Sequence, residues 1–392
     1  MKKLFSYACV LAVAALGMTA CNGGNNTPDT PADANEEAYK NIITPYVDNT
    51  VIATYRSLGD ATVELYEAVE TMFEHFEKGS LTEADIKAAA DEWVKARRYW
   101  ELSEAFLYGP AGDYSIDPHI DSWPLAKDEM DALLGDATRM QRIEEDGADY
   151  VGNFLGYGLL GFHAIEYMLY APDNADKSNV RYHSTAYTRP ELVYTLAVTE
   201  DLMLQTLVLE ASWAGIDNVS KEKRELLEEA ELENRDFAAG YASLMKNAQA
   251  PYSTYKAAVE ELVQGCIDIA DEVGNTKIGT PANASSEEDR NYIESPYALN
   301  SIEDFQDNIR SIQNAYLGSN AGDACLSDII KQRNADLDAR CREALENSIK
   351  AIAAIPEPFA ANAKSSEAQN AVKVVGTDLV DVLEEIYTEV GK

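Results

Sequence analysis

Apolar residues recur along most of the chain at spacings of three and four, which is the period of an amphipathic α-helix. One such stripe consists of Val63, Tyr66, Val69, Phe73 and Phe76. Gly79-Ser80 ends it, and Thr82 with Asp85 then forms the pattern of a capping box. The pattern predicts a second helix from this box to about Leu107.

The same period continues through the rest of the sequence. It predicts further helices over residues 150–170, 189–213, 221–247, 252–273, 300–317, 324–354 and 366–389. Alternation typical of strands is nearly absent. Two long irregular stretches, 109–124 and 274–297, interrupt the pattern, and loops of that length are usually functional or disordered. We therefore expect an all-α protein.

The helices divide into two groups of similar length. We expect two packed, four-helix-bundle-like units over residues 39–215 and 216–392, with a soft boundary near 213–220. The similar helix ends Leu107-Tyr108-Gly109 and Tyr316-Leu317-Gly318 suggest a distant duplication.

The N-terminus has the pattern of a bacterial lipoprotein signal. Lys2 and Lys3 precede a short apolar run, and Met18-Thr19-Ala20-Cys21 is similar to a lipobox. Residues 1–21 are therefore predicted to be a signal peptide cleaved before an acylated Cys21, and residues 22–38 a flexible tether. Asn22 after the acylated cysteine favours the outer membrane of a Gram-negative envelope.

The net charge of the chain narrows the classes of molecule that it could bind. The 392 residues carry 68 acidic against 32 basic side chains, a formal net charge of −36. Repulsion then disfavours nucleic acid and anionic lipid surfaces, so that membrane contact is expected only through the lipid anchor. Cations or basic partners are favoured instead. We expect Cys266, Cys325 and Cys341 to be buried thiols, although the sequence does not determine their pairing.

Two charged residues interrupt an apolar stripe on the second predicted helix. The stripe consists of Trp93, Arg97, Trp100, Glu104 and Leu107. A buried carboxylate at Glu104 requires a cation, which a neighbouring side chain or a metal ion would supply. Pairing with charges on neighbouring helices is the simpler interpretation of this stripe alone.

The strongest local signal is Gly161-x-His163-x-x-Glu166. Residues three apart share a helix face, so that His163 and Glu166 could bind one ion. Spacing alone supports a packed His–Glu pair equally well. A metal site needs a further ligand, and the candidate His119 is more typical of an exposed loop residue. The sequence contains no P-loop or GxSxG motif.

Polar residues also gather before and along the helix predicted over residues 300–317. Asp304, Asn308 and Ser311 form a polar stripe, which is ordinarily a solvated face. The preceding Glu294-Ser295-Pro296-Tyr297 ends a long loop with hydroxyl and aromatic side chains. Its position next to the stripe favours a functional role for the stripe.

Taken together, these segments resemble the imelysin-like family of exported bacterial proteins. The resemblance spans roughly residue 39 to the C-terminus. It depends on Trp93-(x)3-Arg97-(x)2-Trp100-(x)2-Ser103-Glu104, Ile116-Asp117 followed by Trp123-Pro124, Gly161-x-His163-x-x-Glu166, and Glu294-Ser295-Pro296-Tyr297 with Asp304 and Asn308. It implies two helical bundles with a site in the cleft between them. Members include an insulin-cleaving metallopeptidase and periplasmic components of iron uptake, so that family alone does not determine function.

Our first hypothesis is a lipid-anchored envelope protein that binds a metal, iron or zinc, or an iron-related ligand for uptake, together with an uptake-system partner. His163, Glu166 and Glu104 are the predicted metal ligands. Further binding residues are predicted at Arg97, Trp123, Ser295, Tyr297, Asp304 and Asn308. A metallopeptidase using the same motif and a non-catalytic surface interaction protein are the alternatives. The motif lacks a second histidine, which argues against hydrolysis, and we assign no catalytic residue.

Overall fold

The computed structural model describes residues 31–174, 179–232, 237 and 240–392. The predicted signal peptide, Cys21 and the first part of the predicted tether lie outside these ranges. Within them no strand forms, and the β-type pairing is an isolated bridge between Tyr170 and Tyr182. The all-α prediction is confirmed.

The described residues form a succession of helices along the chain. They are α1 (Pro31–Pro45), α2 (Ile52–Glu77), α3 (Glu83–Glu101), α4 (Pro110–Asp113), α5 (Ile116–Ile120), α6 (Lys127–Leu134), α7 (Ala137–Phe154), α8 (Gly161–Leu169), α9 (Arg189–Ala214), α10 (Lys221–Glu229), α11 (Tyr241–Lys246), α12 (Tyr255–Asp271), α13 (Gly279–Ala282), α14 (Glu287–Asn291), α15 (Ser301–Leu317), α16 (Leu326–Arg333), α17 (Ala335–Ala353), α18 (Phe359–Asn362), α19 (Ser366–Lys373) and α20 (Val380–Gly391).

The start of α3 is as predicted, but its end is not. The Thr82 hydroxyl accepts from the Asp85 amide, and the Asp85 carboxylate accepts from the Thr82 amide at 2.8 Å, which completes the capping box. The helix ends at Glu101, well before Leu107, because the chain turns into a 3₁₀ segment, Glu104–Phe106. Glu104 therefore leaves the face that carries Arg97.

Several long predicted helices are broken. The region predicted over 324–354 divides into α16 and α17 at Asn334, whose side chain accepts from the Leu337 amide at 3.1 Å and starts the second helix. The region 150–170 divides between α7 and α8, and 221–247 between α10 and α11. Apolar periodicity continues across these breaks because the pieces on both sides bury apolar residues.

One helix, α9, is the centre of the N-terminal half. Helices α2, α7 and α8 pack against it, and α3 packs against α2. Helix α9 is long and apolar enough to cross a membrane, but 83% of its most apolar window is buried inside the protein. The apolar composition of α9 is therefore that of a helix in the protein core.

The C-terminal half is built from α12, α15, α17 and α20, which pack against one another. Helix α1 also packs on α12, and α3 contacts α15, so that the halves share a continuous core. The two-unit division at 215 remains a prediction. Cys266, Cys325 and Cys341 are free and buried.

Two π-helical segments cross where the C-terminal half approaches the polar centre. They are Glu272–Lys277 and Val374–Leu379. A Cβ on Gly274 would overlap the backbone of Gly376, so that only glycine permits this close crossing. The first segment ends at Lys277, and its close contact with the second segment therefore positions this lysine near the buried polar residues.

Candidate metal centre

Arg97 is the hub of a buried polar cluster. Its guanidinium is fully buried and is paired with the carboxylates of Glu101 and Asp121, with Glu294 at 2.7 Å and with Asp304 at 3.4 Å. Burial opposes its charge, but the four carboxylates outweigh burial and raise the pKa of Arg97. The predicted binding residue Arg97 thus joins α3 to α15 and to two loops.

Asp121 is held in place from two sides. It directly follows α5, and its Oδ1 pairs with Arg97 while its Oδ2 accepts from Trp100 Nε1 at 2.7 Å. Burial would raise the pKa of Asp121, but the neighbouring charges of Arg97 and His163 lower it below its usual range. Asp121 is therefore a carboxylate at neutral pH.

His163 and Glu166 lie on one face of α8, as their spacing predicts. His163 Nδ1 is 3.2 Å from Glu166 Oε2, and its Nε2 is 3.0 Å from Asp121 Oδ1. Burial alone would lower the pKa of His163, but Asp121 and Glu166 outweigh burial and raise it to about 9. The His163 ring therefore lies between two carboxylates, with one at each ring nitrogen.

Glu166 is already held by the backbone. Its Oε1 accepts from the amides of Tyr297 at 2.7 Å and Ala298 at 2.8 Å. With Oε2 facing His163 Nδ1, this carboxylate is placed to orient the ring so that Nε2 points toward Asp121. Direct binding of a metal by Glu166 remains a prediction.

Three groups in the cluster are arranged as a ligand set. Atoms of Asp121, His163 and Glu294 lie within 4.8 Å of one another, and all three residues are buried. Two atoms of this set, His163 Nε2 and Glu294 Oε2, are buried without a well-aligned hydrogen bond among the described residues. Because such atoms ordinarily find a partner, the geometry fits a bound cation.

The charges of the cluster also favour a cation. Arg97 and Lys277 face an excess of buried carboxylates, which belong to Glu101, Glu104, Asp121, Glu166, Glu294 and Asp304. Lys277 is 1% exposed and lies 3.1 Å from Glu294 Oε1. Uncompensated buried carboxylates are unfavourable, and this excess is compensated by protons or by an added cation.

The predicted binding residues on α15 and the preceding loop support this cluster from the C-terminal half. Ser295 donates to Asp304 Oδ2 at 2.5 Å, and burial raises the pKa of Asp304 to about 6 although Arg97 opposes this. Asn308 donates to the Glu101 carboxylate. These residues therefore contact carboxylates of the cluster, and the polar stripe of α15 is buried rather than solvated.

Glu104 belongs to a different part of the cluster. It forms a second group with Glu101 and Asp121, and its nearest cation is Lys277 at 3.7 Å. It also lines a separate cavity of ≈ 320 Å³. Burial raises the pKa of Glu104 well above its ordinary value. The structure thus does not group Glu104 with His163, its predicted co-ligand.

A cavity of ≈ 460 Å³ reaches His163 and Glu166 from the surface. Its walls include the predicted binding residues Trp123 and Tyr297, and Trp123 packs on Tyr292 with ring centroids 4.2 Å apart. Trp123 and Tyr297 are therefore positioned at the approach to the cluster.

Several buried residues in and near the cluster were not predicted from the sequence. Neither Asp121 nor Glu294 was predicted as a ligand, although both lie inside the segments that carry the family resemblance. Lys277 was missed because no local pattern marks a lysine that becomes buried. His119, expected in an exposed loop, is 8% exposed and pairs with Asp201 at 2.7 Å.

Comparisons with known proteins identify similar sequences and folds. A sequence model of the family described as imelysin, peptidase M75, matches residues 51–386. The iron-regulated protein A of Synechococcus elongatus is 26% identical over 348 residues, which cover 88% of this chain and 84% of that protein.

Solved structures show the same fold. An iron-regulated protein A precursor from Parabacteroides distasonis has a TM-score of 0.76 at 26% identity, covering 90% of this chain and 95% of that one. An imelysin-like protein from Psychrobacter arcticum has a TM-score of 0.56 at 16% identity, with 90% and 93% covered. The second likeness concerns the fold alone.

Proposed function

Because this chain belongs to the imelysin family, we propose that it is a lipid-anchored envelope protein that binds a metal ion in an iron-related uptake process. The observation that carries the proposal is the buried set of Asp121, His163 and Glu294, in which His163 Nε2 and Glu294 Oε2 lack a well-aligned hydrogen bond among the described residues. A cation would satisfy both atoms and offset the excess of buried carboxylates.

The donors indicate the class of metal. One imidazole nitrogen with carboxylate oxygens suits borderline ions such as iron or zinc better than magnesium or calcium. His163 Nε2, Asp121 and Glu294 would hold the ion, while Glu166 fixes the imidazole orientation through Nδ1. Similarity to two proteins described as iron-regulated supports iron.

The N-terminus and one relative support the proposed location. Cys21 in its lipobox would anchor the chain in the cell envelope, and Asn22 favours the outer membrane. The Parabacteroides relative is described as a precursor, in keeping with an exported protein. A partner in uptake would then meet the protein at the membrane.

Binding explains the centre better than hydrolysis does. A peptidase must bring a peptide bond to its metal, whereas His163 is 2% exposed and Glu166 fully buried. A small ligand reaches such a centre more easily than a polypeptide.

Replacement of His163 by alanine is expected to weaken metal binding at least about 100-fold, because the ring nitrogen is the central donor of the set. The measurement is calorimetric titration of the full chain with Zn²⁺ and with Fe²⁺ under anaerobic conditions. His183→Ala, a half-buried histidine outside the cluster, is the matched control and should bind as the wild type does. Unchanged affinity in a folded His163→Ala protein would exclude this site, and chelator-sensitive peptide cleavage lost in the same variant would favour the peptidase.

Glu166→Gln is expected to weaken metal binding about 10- to 100-fold, less than His163→Ala, because an orienting carboxylate is lost while the donors remain. The same titration measures it. A loss as large as that of His163→Ala would indicate that Glu166 binds the ion directly, as the sequence predicts.

A further inference from the structure

The cavity that leads to His163 is much larger than a metal ion. Its ≈ 460 Å³ lies within the range of small-molecule sites, whereas one water accounts for about 30 Å³ of liquid. A bare ion at the buried set would leave most of this space to solvent. The volume is sufficient for a small organic molecule.

The wall of this cavity carries positive charge in an otherwise acidic protein. Arg290 and Lys127 both line it, against the single acidic residue Glu166. Glu166 lies at the buried end and is satisfied by the amides of Tyr297 and Ala298 and by His163. The accessible part of the cavity therefore favours an anion, although the whole chain carries −36.

Arg290 is available for such an anion. Within the described ranges its guanidinium has no hydrogen bond or ion pair, and its side chain is exposed at the end of α14. Lys127 pairs with Asp131 at 2.7 Å and lies 5.5 Å from the ring centroid of Tyr167. A guanidinium presents paired donors that match a carboxylate.

Apolar and aromatic residues form another part of the wall. Trp123, Pro124, Pro296 and Tyr297 line it, and the ring of Tyr292 packs on Trp123. Such a surface suits the carbon skeleton of a small molecule, while the two cations suit its charged groups.

We propose that the cavity binds a small organic polycarboxylate, delivered as an anionic chelate of the metal. Its free carboxylates lie against Arg290 and Lys127, and its metal faces the histidine end of the cavity. This inference rests on the proposed metal-binding function and names the form in which the metal arrives.

The test compares three probes on the full chain by calorimetric titration: Zn²⁺ alone, citrate alone and ferric citrate. Arg290→Gln should weaken binding of ferric citrate about tenfold or more, because a charge-assisted contact is lost, and leave Zn²⁺ affinity unchanged. Arg139→Gln, a half-buried arginine of α7 outside the cavity, is the matched control and should bind all three probes as the wild type does.

The outcomes separate the two proposals. Zn²⁺ binding without any binding of ferric citrate, or ferric citrate binding that is equal in Arg290→Gln and wild type, overturns the inference and leaves the metal centre standing. Arg290-dependent binding of citrate without Zn²⁺ binding supports the anion site and overturns the metal centre. Ferric citrate bound more tightly than citrate, with the difference lost in His163→Ala, supports delivery as a chelate.

Discussion

Replacement of Arg97 by glutamine is expected to lower the free energy of unfolding by about 3 to 5 kcal/mol. The guanidinium is fully buried and contacts the carboxylates of Glu101, Asp121, Glu294 and Asp304. Glutamine keeps a polar group but removes the charge, so that these carboxylates lose their shared counter-ion in a region that excludes water. Removing one partner of a buried ion cluster is far more costly than removing a surface charge.

Urea unfolding followed by circular dichroism measures this effect, and the neighbouring arginine provides its control. Arg98 is 61% exposed and lies 3.7 Å from Asp307, which Arg310 already holds at 2.6 Å. Arg98→Gln is therefore expected to change stability by less than about 1 kcal/mol. Similar losses in the two variants would show that Arg97 does not organise the cluster.

Gly161→Ala is expected to destabilise the protein by about 2 to 6 kcal/mol, from backbone strain and overpacking of about 1 to 3 kcal/mol each. Gly161 begins α8 with φ of +68°, and a Cβ there would overlap the carbonyl oxygen of Ile120. The change would push apart the segment that carries Asp121 and the helix that carries His163. Metal affinity should fall with stability, although neither donor is altered.

Gly156 supplies the comparison for this substitution. It lies in extended backbone nearby, and a Cβ there would meet nothing within 4 Å. Gly156→Ala should leave the thermal midpoint and metal affinity close to those of the wild type. If Gly161→Ala also unfolds at the wild-type temperature, the close approach of the two segments does not set the geometry of the centre.

Periodicity predicted where helices lie better than where they end. Residues 189–213 and 300–317 correspond closely to α9 and α15. The predicted second helix stops early, at Glu101, because the chain turns into a 3₁₀ segment that an apolar stripe cannot distinguish from continued helix. An apolar stripe in the sequence indicates which side chains become buried, and residues on both sides of a turn can be buried.

The chemistry of the centre was predicted only in part. The spacing of His163 and Glu166 places both on one face of a helix, as observed, because this relation is local. Their separate roles depend on Tyr297 and Asp121, which contact them from distant segments. No spacing rule along one helix contains that information.

The sequence by itself determined the all-α class, the capping box that begins α3 and the placement of His163 and Glu166 on one face of α8, since these depend on residues a few positions apart. Only the tertiary structure decided that Asp121 and Glu294 join His163, that Lys277 is buried beside them, and that Glu104 faces another cavity. The physical reason is that pairing of buried charges depends on which segments meet, and these segments meet through the packing of both halves around Arg97.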